Sequence, residues 1–360
     1  MFELYDDIQE LCAKIENSWL KYNYASEDFY KVAAELTGDI DLSPLGDLGN
    51  QMRLMDHPAV RLNQQPSTFS DLYFQLFNNG RFMIEILNWH GSHVNVHDHD
   101  FSGVQFQLKG RSLNVIYDFE SNDRQGALRL GSLNVRRAEV WQPGGRSLIR
   151  PGAMDPHGVF HLSHPTTSLL IRTLPTPRLG VQTNYFPTVA GHYSVNTTLQ
   201  RKKLTALALL VKQEPDEFRS LLENFLDTQS LAESFFMMVK LGPQLFQEEF
   251  VALMYAYAER GERESALVAS VIANNGIDFF KSHATSVSNI TEDEKLALSV
   301  VAASNTVANF KKIQAALADG GQGIDVGQNL QSFGRKIRSD EVSTANRYLS
   351  VLGMDEVLSV

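Results

Sequence analysis

The stretch "NWHGSHVNVHDHDFSGVQFQLKG", residues 88–110, decides how this chain is read. Apolar and polar residues alternate at period two through "HVNVHDH" (93–99) and "VQFQLKG" (104–110), as in strands with one buried face. The stretch also holds four of the chain's ten histidines, and three more follow in "DPHGVFHLSHPT", residues 155–166.

Residues two apart on a strand point the same way, so His97 and His99 share a face and Asp98 takes the other. Two imidazoles at that spacing can reach one ion, and a third ligand must come from elsewhere. His157 is the best-placed candidate. It follows the Pro/Gly turn "RPGAMDP" (150–156), and a late strand of a sandwich can lie antiparallel to an early one. The competing reading is a set of polar histidines on an exposed hairpin. His161 lies four residues beyond His157, about 13 Å along an ideal strand, too far for the same ion. His161 and His164 therefore read as groups around the site or at the surface. His93 is a minor candidate for the pocket, while His57, His192 and His283 sit in helix or loop contexts with nothing to mark them.

Six further strand candidates accompany these two: "RFMIEILNW" (81–89), "RSLNVIYDF" (111–119), "GALRLGSLNVRR" (126–137), "AEVWQPGG" (138–145), "GVFHLSH" (158–164) and "SLLIRTL" (168–174). About eight evenly spaced strands with no helical pattern between them suggest a β-sandwich or barrel, the jelly roll included, and argue against βαβ units. The N-terminal part reads as helices, with Leu4, Ile8, Leu11, Ile15 and Leu20 near one face. After about residue 200 only helical patterns remain. Thr291 with Glu294 makes a capping box, Gly261 and Gly276 read as helix stops, and "FFMM" (235–238) reads as bundle core. The segment "GGQGIDVGQNLQSFGRK" (320–336) reads as loose or as packing late. The expected organisation is α+β and multi-domain: a helical lead-in over 1–70, a β-barrel metal domain over 71–195 and an all-α domain over 196–360.

Composition narrows the function classes. The 360 residues are 43% hydrophobic with a net charge of −10, which argues against a nucleic-acid partner. No apolar run is long enough to suggest a membrane span. Cys12 is the only cysteine, so an intrachain disulfide and a thiolate metal site are both excluded, and a cytoplasmic setting is expected. Any transition metal would be held by imidazole and carboxylate.

Three ordered motifs over about residues 70–178 carry a family resemblance: "RFMIEILNW", "HGSHVNVHDHDFSGVQFQLKGRSL" and "PHGVFHLSHPTTSLLIRTLPTP". This part of the chain resembles the cupins, and within them the cysteine dioxygenase-like thiol dioxygenases. The resemblance implies a cupin-type β-barrel in which His97, His99 and His157 hold a ferrous ion, with nickel, manganese or zinc as alternatives. Many cupins add a glutamate soon after the second histidine. Here Gln105 and Gln107 stand in that region and no glutamate occurs before Glu120. The family's substrate-binding arginine has no counterpart in "SDLYFQLFNNG" (70–80), and its crosslinking cysteine falls on Gly103 or Val104. Its Ser–His–Tyr relay maps onto Ser168, Leu170 and Arg172, so only the serine is kept. The resemblance places Arg172 to bind an anionic substrate group, against the alternative of a structural ion pair. Tyr73 and Arg81 are weaker candidates for the pocket, and Trp89 and Phe106 are candidates for its walls or equally for the core.

The expected function is a mononuclear ferrous dioxygenase that takes O₂ and a small anionic or thiol-containing substrate. Two alternatives stand beside it. One is a non-catalytic cupin that senses a metal or ligand and carries a helical interaction domain. The other is an isomerase or hydrolase using another divalent metal. By analogy with other cupin barrels, a homodimer is expected.

Overall fold

The computed structural model describes residues 2–38, 40–62, 64–66, 69–91, 95–176, 178, 180–192 and 197–355, less the side chains of residues 2, 3, 248 and 249. His93 lies outside the described residues. Helices α1 (Phe2–Leu20), α2 (Phe29–Leu36), α3 (Leu48–Met55) and α4 (Pro58–Leu62) precede the strands. Strands β1 (Leu72–Asn78), β2 (Phe82–Trp89), β3 (Val96–His99), β4 (Gly103–Lys109), β5 (Ser112–Gln125) and β6 (Leu128–Trp141) follow. Then come β7 (Arg146–Ile149), β8 (Gly152–His161), β9 (Thr166–Thr173), β10 (Asn184–Phe186) and β11 (Val189–Gly191). Among the described residues the remaining elements are helices: α5 (Thr198–Gln213), α6 (Pro215–Thr228), α7 (Leu231–Leu241), α8 (Glu248–Ala258), α9 (Glu262–Ser286), α10 (Glu292–Ala303), α11 (Val307–Asp319), α12 (Val326–Gly334) and α13 (Ser339–Val351). Among the described residues no helix is long and apolar enough to cross a membrane.

All strand pairs are antiparallel. One sheet has the order β1-β2-β9-β4-β7. The other runs β6-β5-β8-β3 and is closed on itself by the β10–β11 hairpin, which bridges β3 and β6. Numbering the strands from β2 to β9 as one to eight gives sheets 1-8-3-6 and 2-7-4-5, the two interleaved Greek keys of a jelly roll. The barrel with N-terminal helices and a C-terminal helical region is the architecture expected from the sequence.

Several expectations need correction. "GALRLGSLNVRR" and "AEVW" are one strand, β6. Ile116 pairs with Arg137 and Tyr117 with Val135, so Arg136 is an extra, bulged residue. The bulge shifts the period by one and makes one strand read as two. Strands β10 and β11 have three residues each, too few to show a period. Gly276 does not end a helix; it lies inside α9, where a Cβ would stand 3.0 Å from the Tyr348 ring of α13, so close packing explains it. The segment read as loose or late-packing is not loose: it forms α12, with Leu330 and Phe333 buried. Gly261 does separate α8 from α9, Thr291 and Glu294 do form a capping box, and "FFMM" is buried core in α7.

Each helical region covers the outer face of one sheet. Ile8, Leu11 and Ile15 of α1 pack with Phe29 of α2 against Ile84 and Ile86 of β2, Val104 of β4 and Leu169 and Ile171 of β9. Cys12 is buried in this layer, and burial pushes its thiol up to about 12. On the other side Phe280, Leu298, Phe310 and Ile313 pack against Leu113, Val115, Leu133 and Phe160. Asn309 of α11 bonds both backbone groups of β6, accepting from Val135 N at 2.8 Å and donating to Leu133 O at 2.8 Å. The barrel interior is thus left for the opposite residue parity of each strand. Phe106 belongs to the outer layer, so it is not a wall of the interior.

Gly103 marks a close approach between strands. A Cβ there would meet Ile171 O at 2.4 Å and Arg172 Cβ at 2.9 Å. Gly103→Ala is expected to lower stability by about 1–3 kcal/mol in urea denaturation. An unchanged midpoint would show that β4 and β9 can separate at no cost.

Candidate metal centre

Strand β3 presents His97 and His99 to the barrel interior, and Asp98 points the other way. The Asp98 carboxylate accepts from Thr183 N at 2.6 Å and from Tyr185 Oη at 2.8 Å. Asp98 N donates to Thr183 O at 3.0 Å, so β3 is tied to the chain leading into β10. Burial raises the Asp98 carboxyl above its ordinary value, and the bonds from Thr183 and Tyr185 oppose that. On the next strand His157 stands directly opposite His97 in the β3–β8 register.

The structure brings His97, His99 and His157 together, with one ring nitrogen from each within 4.8 Å of the others. Among the described residues no other group of three metal-ligating side chains is so placed. His97 Nδ1 donates to Asn95 O at 2.7 Å, because a carbonyl can only accept. That bond leaves Nε2 with a free lone pair, and His97 Nε2 is buried without a partner. His99 Nε2 and His157 Nε2 face each other at 3.0 Å, and His99 Nδ1 is also buried without a partner. Buried polar atoms left unsatisfied are costly, and a cation at the convergence of these rings, taking one nitrogen from each, would give the orphaned His97 Nε2 a partner. The donor set therefore fits a transition metal.

All three rings are held neutral, as metal ligation requires. Burial lowers His97, pushes His99 well below its ordinary value, and takes His157 from 6.5 to about 3. Mutual repulsion between the rings adds to the effect at His99 and His157. Behind Asn95 stands Lys281 of α9, whose Nζ lies 3.4 Å from Asn95 Oδ1. The helical region thus backs the segment leading into β3.

The imidazoles line a cavity of about 490 Å³ inside the barrel, in the usual range for a small-molecule site. One wall is apolar: Leu87, Trp89, Phe101, Ile149 and Leu170. The polar part of the lining centres on Glu85 of β2, which is 2% exposed. Arg172 of β9 grips it with two parallel bonds, Nε to Oε2 at 2.7 Å and Nη2 to Oε1 at 3.0 Å. Tyr73 Oη donates to Oε1 at 2.6 Å, and Gln75 Nε2 donates to Tyr73 Oη at 3.1 Å. The guanidinium also lies 4.6 Å over the Phe101 ring.

The remaining sequence candidates are distributed as follows. Arg172 and Tyr73 line the cavity, with Arg172 already engaged in the ion pair. Ser168 does not line it; its hydroxyl oxygen accepts from Trp89 Nε1 at 3.3 Å and so holds that wall. Arg81 is outside the cavity, paired with Glu16 at the surface. Gln105 lines the cavity, whereas Gln107 turns its amide to Lys109 O. His161 stands apart from the cluster, lining the cavity and stacked on Trp89 at 4.6 Å. Glu85 escaped the sequence reading. Its signal was a lone charged residue in the otherwise apolar run "FMIEIL", where a buried charge needs a partner.

No family model matches the chain, and no curated protein matches its sequence. Its barrel is similar to that of several solved structures. An uncharacterized double-stranded β-helix protein from Klebsiella pneumoniae is 13% identical, over 32% of this chain and 88% of that one, with a TM-score of 0.22. The hydroquinone 1,2-dioxygenase PnpCD, solved with Cd²⁺ and 4-hydroxybenzonitrile, is 15% identical over 32% and 68%, with a TM-score of 0.23. The DMSP lyase DddQ from Ruegeria pomeroyi is 12% identical over 41% and 79%, with a TM-score of 0.24. Similarity at this level assigns no function to the chain.

Two outcomes are expected. Replacing His97, His99 or His157 singly with Ala should remove most bound metal after loading and desalting, as read by elemental analysis; full occupancy in any of the three would exclude that residue as a ligand. In the metal-free protein, the unfolded chain protonates His157 near 6.5 while the folded protein resists to about 3, so stability falls as pH falls through that window. His157→Gln should therefore lose less stability than wild type between these pH values. Parallel denaturation curves would show that His157 is not held neutral.

Proposed function

We propose that this chain is a mononuclear non-haem Fe(II) dioxygenase acting on a small anionic or thiol-containing substrate. The observation that carries the reading is the donor set: three buried, neutral imidazoles converge on one face of a cavity, with no carboxylate in the cluster. A ferrous ion held by His97, His99 and His157 would keep its full double charge and supply open positions for an anionic donor atom and for O₂. Nickel, manganese or zinc would fit the same ligands.

The chain's own residues do the rest. Asn95 fixes the His97 tautomer through its carbonyl. Asp98 holds β3 from the opposite face. Trp89, Phe101 and Leu170 keep the space beside the imidazoles apolar, and Ser168 fixes Trp89. Arg172 binds Glu85 and thereby sets the position of Tyr73. The Tyr73–Glu85 pair favours a second reading. A hydroxyl bonded to a carboxylate inside a metal cavity can hold and move a proton, which suits a metal-dependent isomerase, lyase or hydrolase that needs no O₂.

The two readings separate in an oxygen electrode. Fe(II)-loaded protein supplied with a panel of small thiols and phenols should consume O₂ in proportion to the substrate lost. Turnover under argon at the aerobic rate would favour the second reading.

A further inference from the structure

We infer that the cavity is built for a substrate with one metal-binding donor atom and an uncharged, largely apolar body, and that the Glu85–Arg172 pair excludes a substrate carrying a carboxylate. The inference rests on the three-histidine cluster being the metal centre.

Charge on the lining leads to this conclusion. Arg172 is its only lysine or arginine among the described residues. A guanidinium recognises a carboxylate through two parallel N–H groups, and here the Nε and Nη2 fork is already closed on Glu85. The Nη1 group turns to Thr173 O at 3.4 Å. Glu85 is partnered at both oxygens as well: Oε1 accepts from Tyr73 and Arg172, and Oε2 accepts from Arg172. The pair is neutral as a unit, so it offers a second anion no unpaired cation. Asp100 also lines the cavity and adds a carboxylate that repels one. A substrate carboxylate would have to give up its hydration and either displace Glu85 or remain unpaired.

The site therefore has one place for negative charge, the metal, and the space around it is set by Leu87, Trp89, Phe101, Ile149 and Leu170. Packing between an aromatic or aliphatic body and these side chains is the affinity that remains. Glu85 and Arg172 are specificity residues in this scheme: Arg172 is kept from acting as an anion receptor by its own counter-ion.

The test uses the cobalt-loaded protein and two thiol probes, thiophenol and mercaptoacetate, which share a thiolate donor and differ in the body. Direct thiolate binding is followed by its charge-transfer absorption. Thiophenol is expected to bind wild type roughly tenfold or more tighter than mercaptoacetate. In Glu85→Gln the counter-charge of Arg172 and its bidentate partner are lost, and mercaptoacetate should gain roughly tenfold or more while cobalt content stays the same. Equal or tighter binding of mercaptoacetate by wild type overturns the inference, and that comparison needs no variant. So does an unchanged mercaptoacetate affinity in cobalt-replete Glu85→Gln. Failure of wild type to take up cobalt is a different result: it removes the metal centre itself, and the inference with it.

Discussion

The site depends on one register. His97 on β3 stands directly opposite His157 on β8, and a slip of one residue would turn either side chain out of the barrel. His99 then follows His97 onto the same face because β3 stays extended. Much of the neighbouring structure fixes this pairing. Asp98 locks β3 to Thr183 and Tyr185, β5 holds β8 along Ser112–Ile116, and α9 lies behind Asn95. Three imidazoles buried against one another would be a liability without a shared cation, since each is driven neutral and two buried ring nitrogens have no partner.

The barrel interior divides into two functions by strand parity. Along β2 the even residues Ile84 and Ile86 face the N-terminal helices, while Met83, Glu85, Leu87 and Trp89 face the cavity. The same split on β9 sends Leu169 and Ile171 outward and Leu170 and Arg172 inward. Glu85 pairs with Leu170, two residues before Arg172 on the adjacent strand, and this diagonal brings carboxylate and guanidinium into a bidentate pair. Taking both charges out of water gains little net stability by itself. What the pair fixes is the electrostatic character of the cavity: its one arginine is neutralised, which leaves the metal as the place for an anionic donor.

How much of this was legible follows from where each signal resides. The His97–His99 pair is local, because period two is a property of the strand itself. The convergence of His157 depended on two strands lying antiparallel, and the order of motifs gave enough to anticipate it. The Glu85–Arg172 pair joins residues 87 apart in the chain, and nothing near either names the other. Ser168 marked a position in a resemblance, but its role as a holder of Trp89 appears only once β2 and β9 are side by side. Arg136 shows the opposite difficulty, since a single bulged residue hid the continuity of β6.

The central claim is that His97, His99 and His157 together hold one metal ion. X-ray absorption at the zinc edge of stoichiometrically loaded protein tests it most directly. The account predicts a single site with three imidazole nitrogens at about 2.0–2.1 Å. A shell of oxygen donors without imidazole scattering, or zinc removed by simple desalting, would contradict it.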